Sequence, residues 1–265
     1  MCVPARGLFR KNQIKPIVGD NVELDEINLV INEVKPRISA LKRPPIANID
    51  QMLIVESLTQ PDFSYLLAFK YLTYANMNGI KAKIILTKSD RFIDKEMLDE
   101  IMKTFSTLGI ETYIVSNKTH DGLEEVRKLF KDHVTCLIGQ TGVGKSSLIN
   151  AVDPAYERAV GEYSYALGRG KHETKEVILL PYQGGYIADT PGFSSLDLDL
   201  FKEDLAKFYP GFEDRSLTCF YSNCLHITEN KCTVKEAIAK GEIPQIAYDC
   251  YIKLSEEAIY KSKRY

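Results

Sequence analysis

The chain has 265 residues, of which 45% are hydrophobic, and carries 34 Lys and Arg against 36 Asp and Glu for a net charge of −2. This length and hydrophobic content predict a multidomain globular protein with a full core. Apolar runs of transmembrane length and a signal peptide are lacking, so we expect a cytoplasmic protein with no membrane partner. The slightly acidic balance excludes nucleic-acid binding by bulk positive charge, and leaves only local basic patches for such contacts.

Three units are predicted in chain order: residues 1–45, 46–205 and 206–265. The first has short β-like runs such as Asn28–Ile31 between Gly and Pro residues. The second alternates strands and helices, and the third has two helix-like stretches. The predicted strands are 51–55, 83–86, 112–115 and 134–138, and the predicted helices are 61–76, 94–108, 121–131, a helix after residue 144, 233–240 and 245–261. The alternation indicates a mostly parallel sheet covered on both faces.

Aromatic residues form a stripe on the first predicted helix of the middle unit. They are Phe63, Tyr65, Phe69, Tyr71 and Tyr74. Such a stripe is more often part of a core than a surface on which bases stack, because burying aromatic rings removes a large apolar area from water. We therefore expect these side chains to be core residues.

The first motif in chain order follows the strand 83–86. Thr87, Lys88 and Asp90 form a variant of the Asn-Lys-x-Asp guanine motif. A carboxylate there can accept hydrogen bonds from N1–H and N2–H₂ of guanine, and adenine offers no matching donor pair. Asp90 thus indicates GTP over ATP, although an Asp in this position is also a common helix N-cap. The next strand ends where the Ser-Ala-Lys motif of GTPases would support the base, at Ser116, Asn117 and Lys118.

A phosphate-binding motif comes next. Residues 139–146 fit G-x-x-x-x-G-K-[ST] and follow the apolar run 134–138, so a chance Gly-rich turn is disfavoured. In such a loop backbone N–H groups surround the phosphates, Lys145 reaches the β- and γ-phosphates, and Ser146 binds Mg²⁺. The residues expected around the phosphates are Gly139, Gln140, Thr141, Gly142, Val143, Gly144, Lys145, Ser146 and Ser147.

A second apolar strand ends at Asp189 and runs into Thr190-Pro191-Gly192. Alone this sequence is an ordinary turn, but behind a P-loop it is typical of a Mg²⁺ carboxylate, Asp189, and a γ-phosphate sensor, Gly192. The next residue is Phe193, where Ras-like enzymes have the Gln that orients water. Water must therefore be positioned by another group.

The motifs stand in an unusual order. The base motifs at 87–90 and 116–118 precede the phosphate motif at 139–146 and the switch motif at 189–192, whereas Ras-like proteins place the phosphate motifs first. The sequence therefore predicts a circular permutation. A permuted chain can keep the site, because all of these loops lie at the carboxyl ends of parallel strands.

A cysteine-rich segment follows the switch motif. Cys219, Cys224, His226 and Cys232 lie within fourteen residues, a spacing that suits one structural, tetrahedral Zn²⁺. Disulfides are the alternative, but six cysteines in 265 residues without a signal peptide favour a reducing compartment. The remaining cysteines, Cys2, Cys136 and Cys250, are expected to be inert.

Together these residues resemble the ribosome small-subunit-dependent GTPase A family, the bacterial RsgA proteins, over nearly the whole chain. Further matches are Arg6–Lys11 and Val18–Asp20 in the family's OB-fold, Arg43–Asp50 at the domain junction, and Gly168–His172 in switch I. The resemblance implies an α/β fold: a circularly permuted P-loop GTPase domain, an N-terminal OB-fold β-barrel and a C-terminal helical zinc-binding domain. It also implies GTP hydrolysis stimulated by the 30S subunit during late maturation, a monomer, and 16S rRNA and GTP or GDP as partners.

The resemblance also implies roles in switch I. His172 is the candidate for positioning the attacking water, with a mobile-loop histidine as the alternative, and Thr174 would supply the hydroxyl that meets Mg²⁺ and γ-phosphate. The family usually continues His-Thr-Thr, but here Glu173 follows His172. The family's OB-fold also begins some strands before Met1, so we expect an incomplete barrel.

Two function classes remain open from the sequence. One is a GTPase timed by the 30S subunit, and the other is a nucleotide-responsive rRNA-binding module whose hydrolysis is incidental. A circularly permuted GTPase that acts on the large subunit is a weaker third possibility, because such proteins lack the OB and Cys3His units that flank the GTPase domain. Candidate RNA contacts are Arg6, Arg10, Lys11, Lys15, Lys261, Lys263 and Arg264. For the three C-terminal residues, ordinary solvated surface charge is an equal alternative.

Overall fold

A computed structural model describes residues 15–28, 30–42, 44–156, 177–189 and 196–258. Its strands are β1 Val22–Asp25, β2 Val30–Val34, β3 Ala40–Lys42, β4 Pro45–Ala47, β5 Gln51–Ser57, β6 Lys81–Thr87, β7 Thr112–Ile114, β8 Val134–Ile138, β9 Ile178–Tyr182 and β10 Gly185–Asp189. Its α-helices are α1 Tyr65–Met77, α2 Lys95–Thr107, α3 Leu123–Phe130, α4 Lys145–Val152, α5 Glu213–Ser216, α6 Thr233–Ala239 and α7 Gln245–Glu257. Short 3-10 turns span Ser89–Arg91 and Lys202–Lys207.

The largest sheet has six strands in the order β7-β6-β5-β8-β10-β9. Its strand pairs are parallel except β10 with β9, as the sequence predicts for a mostly parallel sheet. The central strand β5 is buried at all seven positions, and its register places Ile54 opposite Ile84 of β6 and Ile138 of β8. Parallel strands covered on both faces need such continuous apolar runs.

Helices cover both faces of this sheet. On one face, α1, α2 and α7 contribute to a large core that includes Phe69, Phe105 and Leu254. On the other face, α3 and α4 contribute Phe130 and Leu148 to a second core. The predicted aromatic stripe is confirmed as part of the first core: Phe63, Phe69, Tyr71 and Tyr74 are buried, and Tyr65 packs against them.

The predicted elements of the middle unit are present with small shifts at their ends. The helix expected from Pro61 begins at Tyr65, because the side chain of Ser64 caps it by accepting a hydrogen bond from the Leu67 amide. The helix expected to reach residue 261 is described to Glu257. None of the helices in the described ranges is long and apolar enough to cross a membrane.

The described part of the N-terminal unit has two antiparallel pairs, β1 with β2 and β3 with β4. Gly19 lies against β4: a Cβ added to it would sit 2.2 Å from the Ala47 carbonyl oxygen, so glycine is required for this approach. Strand β4 crosses the predicted unit limit at residue 45, since its residues Pro45–Ala47 pair with β3. The limits of the three units stay predictions.

Candidate nucleotide and metal sites

The loops that carry the base and phosphate motifs meet at the carboxyl edge of the sheet. The Thr87 hydroxyl, at the end of β6, donates a hydrogen bond of 2.5 Å to the Val143 carbonyl in the P-loop. The Lys88 ammonium donates to the Gly142 carbonyl at 2.8 Å, and the Asn117 amide donates to the Gly144 carbonyl at 3.1 Å. Side chains of both base motifs thus hold the phosphate loop directly.

The P-loop itself runs from β8 into α4. Its glycines Gly139, Gly142 and Gly144 all have positive φ, and Gly144 is the N-cap of α4. The loop also packs tightly on β5, because a Cβ at Gly139 would lie 2.1 Å from the Val55 carbonyl oxygen. Glycine is therefore required at Gly139 both for its backbone conformation and for space.

Lys145 and the serines after it occupy the first turn of α4. The Lys145 ammonium donates to the carbonyls of Gly139 and Gln140, at 2.6 and 2.7 Å, and so stays inside the loop. Ser146 and Ser147 are exposed at this helix N-terminus, and Thr141 is exposed in the loop. Free N–H groups and the helix dipole at such an end favour bound anions.

On the base side, Asp90 and Ser116 come together from two loops. The Ser116 hydroxyl donates to Asp90 Oδ1 at 2.8 Å, and its oxygen accepts from the backbone amides of Lys118 and Thr119. Asp90 lies in the 3-10 turn, and the N-cap of the following helix α2 is Asp94, whose side chain accepts from the Met97 amide. The N-cap alternative for Asp90 is therefore wrong.

The switch residues are only partly covered. Asp189 is the last residue of β10, the parallel neighbour of the P-loop strand β8. The predicted site residues His172, Thr174 and Gly192 lie outside the described residues, as does Phe193. The structure therefore brings together the base and phosphate motifs, and places the backbone of Asp189 one strand away.

The four predicted metal ligands form one cluster. The ligand atoms of Cys219, Cys224, His226 and Cys232 all lie within 4.8 Å of one another. His226 Nδ1 is 3.5 Å from Cys219 Sγ and 3.3 Å from Cys232 Sγ, and these two sulfurs are 3.9 Å apart. Tetrahedral zinc with Zn–S of about 2.3 Å and Zn–N of about 2.1 Å needs S–S and S–N separations of about 3.8 and 3.6 Å. The cluster can hold such a metal ion.

The backbone around the cluster is fixed by neighbouring side chains. The hydroxyl of Tyr248 donates to the His226 carbonyl at 2.9 Å, and that of Tyr251 donates to the Leu225 carbonyl at 3.0 Å. Glu229 accepts from the amides of Leu225 and Ile227. The disulfide alternative is not adopted: Cys219, Cys224 and Cys232 are free thiols, as are Cys136 and Cys250.

The four side chains of the cluster are half-buried or buried, and burial shifts their pKa values. Burial raises the pKa of Cys224 to about 12, raises that of Cys232, and lowers that of His226. Burial also acts to raise the pKa of Cys219, but hydrogen bonds from Thr233 and nearby amides leave it below its ordinary value. A divalent cation would compensate the charge of the thiolates, and a neutral imidazole is the metal-binding form.

One acidic residue beside the nucleotide site was not predicted from sequence. Glu56 is 1% exposed on β5, and its Oε1 is buried without a hydrogen-bond partner. Burial raises the pKa of its carboxyl group to about 8, against the opposing positive charge of Lys145. A single acidic residue inside the apolar run 51–57 is the signal that could have found it.

The strand order, the P-loop at the end of β8 and the guanine-motif residues around it define a class: a circularly permuted P-loop GTPase. Comparisons with known proteins agree. The family model described as RsgA GTPase matches residues 34–199, so the chain belongs to the RsgA GTPase family and is a GTPase.

Relatives match over almost the full chain. The small ribosomal subunit biogenesis GTPase RsgA of Halalkalibacterium halodurans is 42% identical, over 98% of this chain and 90% of the relative, and that of Bacillus subtilis is 41% identical with the same coverage. A crystal structure of YjeQ from Thermotoga maritima superposes with a TM-score of 0.83 at 33% identity, covering 97% of this chain and 90% of that one. YloQ, a circularly permuted GTPase, gives a TM-score of 0.79 at 37% identity, covering 98% and 87%.

Proposed function

We propose that this GTPase acts in biogenesis of the small ribosomal subunit, and that the 30S particle stimulates its hydrolysis of GTP at a late maturation step. The names of the relatives support a role at the small subunit, since those of Halalkalibacterium halodurans and Bacillus subtilis are both small ribosomal subunit biogenesis GTPases. The observation that carries the reaction is the direct contact between base and phosphate motifs through Thr87, Lys88 and Asn117. The protein would act in the cytoplasm as a monomer, with 16S rRNA as its contact.

The roles are assigned from the motifs and from the contacts of the described residues. Asp90, held by Ser116, would accept the donors of guanine, with Thr87, Lys88, Asn117 and Lys118 around the base. The P-loop amides and Lys145 would hold the β- and γ-phosphates. The hydrogen bonds of Lys145 to the Gly139 and Gln140 carbonyls support this role, because they keep its ammonium group within the loop that would surround the phosphates. His172 would orient the attacking water.

Two metal ions complete the proposal. Ser146, Asp189 and Thr174 would hold Mg²⁺, which neutralises charge on the phosphates when bound. The Cys3His cluster would hold one structural Zn²⁺, because its thiol and imidazole spacings fit a tetrahedral site and its donors are the soft ligands that zinc prefers.

GTP turnover with and without purified 30S particles tests this function. We expect slow basal turnover and a large stimulation by 30S but not by 50S particles. Lys145→Ala is the matched control, because it should remove the phosphate contact and abolish turnover while the fold stays intact. Equal turnover with and without 30S would contradict the timed enzyme and support an rRNA-binding module whose hydrolysis is incidental.

A further inference from the structure

Glu56 is a buried acid that the proposed GTPase mechanism does not use. It is the only charged residue of β5, whose other residues are Gln51, Met52, Leu53, Ile54, Val55 and Ser57. Its side chain is 1% exposed, and Oε1 has no hydrogen-bond partner. An unpaired buried carboxylate is costly, so a group of this kind needs a physical explanation.

The position of Glu56 connects it to the phosphate loop. It follows Val55, whose carbonyl oxygen is in close contact with Gly139 of the P-loop. The Gly139 carbonyl in turn accepts a hydrogen bond of 2.6 Å from the Lys145 ammonium. On the other side, the Glu56 carbonyl accepts from the Thr87 hydroxyl, which also binds the P-loop at Val143. The backbone at Val55 and Glu56 is therefore in contact with the phosphate loop and with Thr87, which holds that loop.

Among the described residues, two titratable groups interact electrostatically with the Glu56 carboxyl group. One is Lys145, whose positive charge opposes the effect of burial on the pKa of Glu56. The other is Tyr71 on α1, whose own pKa is raised by burial and, to a smaller extent, by Glu56. Tyr71 stays neutral at ordinary pH, so among the described residues Lys145 is the charge that opposes the larger effect of burial on the Glu56 carboxyl group.

We propose that Glu56 is a positioning residue that acts on nucleotide through Lys145, and that phosphate binding at the P-loop is accompanied by proton uptake at its carboxyl group from the solvent. Phosphate brings negative charge next to Lys145 and cancels part of the field that favours the Glu56 carboxylate. The inference rests on the proposed nucleotide site, and adds to it a link between nucleotide affinity and pH.

The direction of the effect follows from linkage. Burial holds the pKa of Glu56 at about 8 in the described state. Bound phosphate raises this pKa further, so the bound state holds the proton more tightly. Well below pH 8 the carboxyl is protonated in both states and affinity is unaffected. Above pH 8 binding must draw in a proton, so affinity falls as pH rises.

The test is the dissociation constant of GDP without Mg²⁺, measured by calorimetry in EDTA from pH 6.5 to pH 9 for the wild type and Glu56→Gln. Gln imitates the protonated acid in shape and charge. Wild-type Kd should rise about fivefold more than the variant's between pH 7 and 9, if phosphate raises the proton affinity of Glu56 tenfold. Subtracting the variant's profile removes the titration of guanine and phosphate. Glu96→Gln, an exposed carboxylate on α2, should follow the wild type.

Proton uptake is measured separately, by repeating the wild-type titration at pH 8.5 in buffers of different ionisation enthalpy. Uptake in the wild type that is absent in Glu56→Gln supports the inference. Parallel Kd profiles, or equal uptake in both proteins, would overturn it while the nucleotide site stands. Failure of both proteins to bind GDP would overturn the site and the inference together.

Discussion

At the scale of single residues, Asp90 and Ser116 show how two loops fix one carboxylate. The Ser116 hydroxyl uses its hydrogen to bind Asp90 Oδ1, and its oxygen accepts two backbone amides of its own loop. The other oxygen, Oδ2, is 3.9 Å from Arg91 Nε. The carboxylate is thus oriented before any ligand arrives, which lowers the cost of ordering it on binding.

Asp90→Asn is expected to weaken GTP binding and to gain xanthosine triphosphate binding. The amide can donate to the O2 that replaces N2–H₂ of guanine, whereas it cannot accept two donors from guanine. Titration of both nucleotides measures the exchange. Ser116→Ala, which loosens the carboxylate without changing its charge, should weaken GTP binding without creating affinity for xanthosine triphosphate. Unchanged GTP affinity in Asp90→Asn would remove Asp90 from the base site.

His172 lies outside the described residues, and its role is a prediction from the resemblance. His172→Ala should keep GTP affinity within a few-fold, since binding rests on Asp90 and Lys145. It should lower 30S-stimulated turnover by roughly 10²–10⁴, the range for a positioned acid–base group. Basal turnover should fall less. If 30S-stimulated turnover stays normal in the variant, the attacking water must be positioned by Thr174, the backbone or the ribosome.

At the scale of elements, the phosphate loop and the cysteine loop rely on different supports. The phosphate loop is shaped by glycines and packed on β5, so its form is set without a ligand. The cysteine loop has left-handed residues at His226 and Lys231, and its four ligand side chains point together. Tyr248, Tyr251 and Glu229 fix part of its backbone, and a metal ion bound by the four side chains would add further stability.

Gly139→Ala should distort the phosphate loop. The new Cβ would meet the Val55 carbonyl at 2.1 Å, so the loop or β5 must shift. Gly79→Ala is the matched control: it also has positive φ, at 65°, but a Cβ there meets nothing within 4 Å. The control should lose about 1–2 kcal/mol from left-handed strain alone and keep GTP affinity. Urea unfolding and GTP titration compare the two, and equal losses would contradict the packing argument.

Metal analysis should find about one Zn²⁺ per chain. Cys219→Ser or His226→Ala should release it and loosen mainly the residues past 210, because binding free energy at a structural zinc site stabilises the fold around it. Limited proteolysis locates the loosened part. Cys250→Ser, a buried thiol outside the cluster, is the control that should retain zinc. Zinc-free protein after a gentle purification, or a Cys219–Cys232 disulfide, would contradict the site.

At the scale of the whole molecule, the C-terminal unit shares a core with the GTPase sheet. Tyr209 is fully buried, stacks on Phe69 of α1 at 5.5 Å between ring centroids, and donates to the Ala247 carbonyl of α7 at 2.6 Å. Lys70 of α1 also pairs with Glu257 of α7 at 2.7 Å. The chain that leaves the switch region is therefore packed back onto the nucleotide-binding sheet.

Tyr209→Ala should destabilise both units together, by about 3–5 kcal/mol, as for other large aromatic truncations in cores. Tyr209→Phe keeps the ring and should cost only about 1 kcal/mol for the lost hydrogen bond. Thermal unfolding followed by circular dichroism and by release of bound nucleotide measures the effect. Two separate transitions, with nucleotide release unaffected by Tyr209→Ala, would show that the units fold independently.

Much of the fold was predictable because its signals are local. Apolar runs predicted β5, β6 and β8 to within a few residues. Turn and capping residues did the same for α1 and α2. Their ends were less certain, because a cap such as Ser64 competes with Pro61 as the start of α1. The contacts of Lys88 with Gly142 and Gln60 could not be predicted, since they join three loops distant in sequence.

The sequence by itself determined the class of this protein, because each motif is a short backbone form with fixed spacing, and parallel strands bring such loops to one edge whatever their order in the chain. It also identified the four side chains that form the candidate metal cluster, since close spacing limits which side chains can meet. Only the tertiary structure decided that Glu56 is buried, and that Tyr209 lies in a core shared by the C-terminal unit and the GTPase sheet. The physical reason is that burial and electric fields depend on every element packed around a group, and a linear pattern does not contain them.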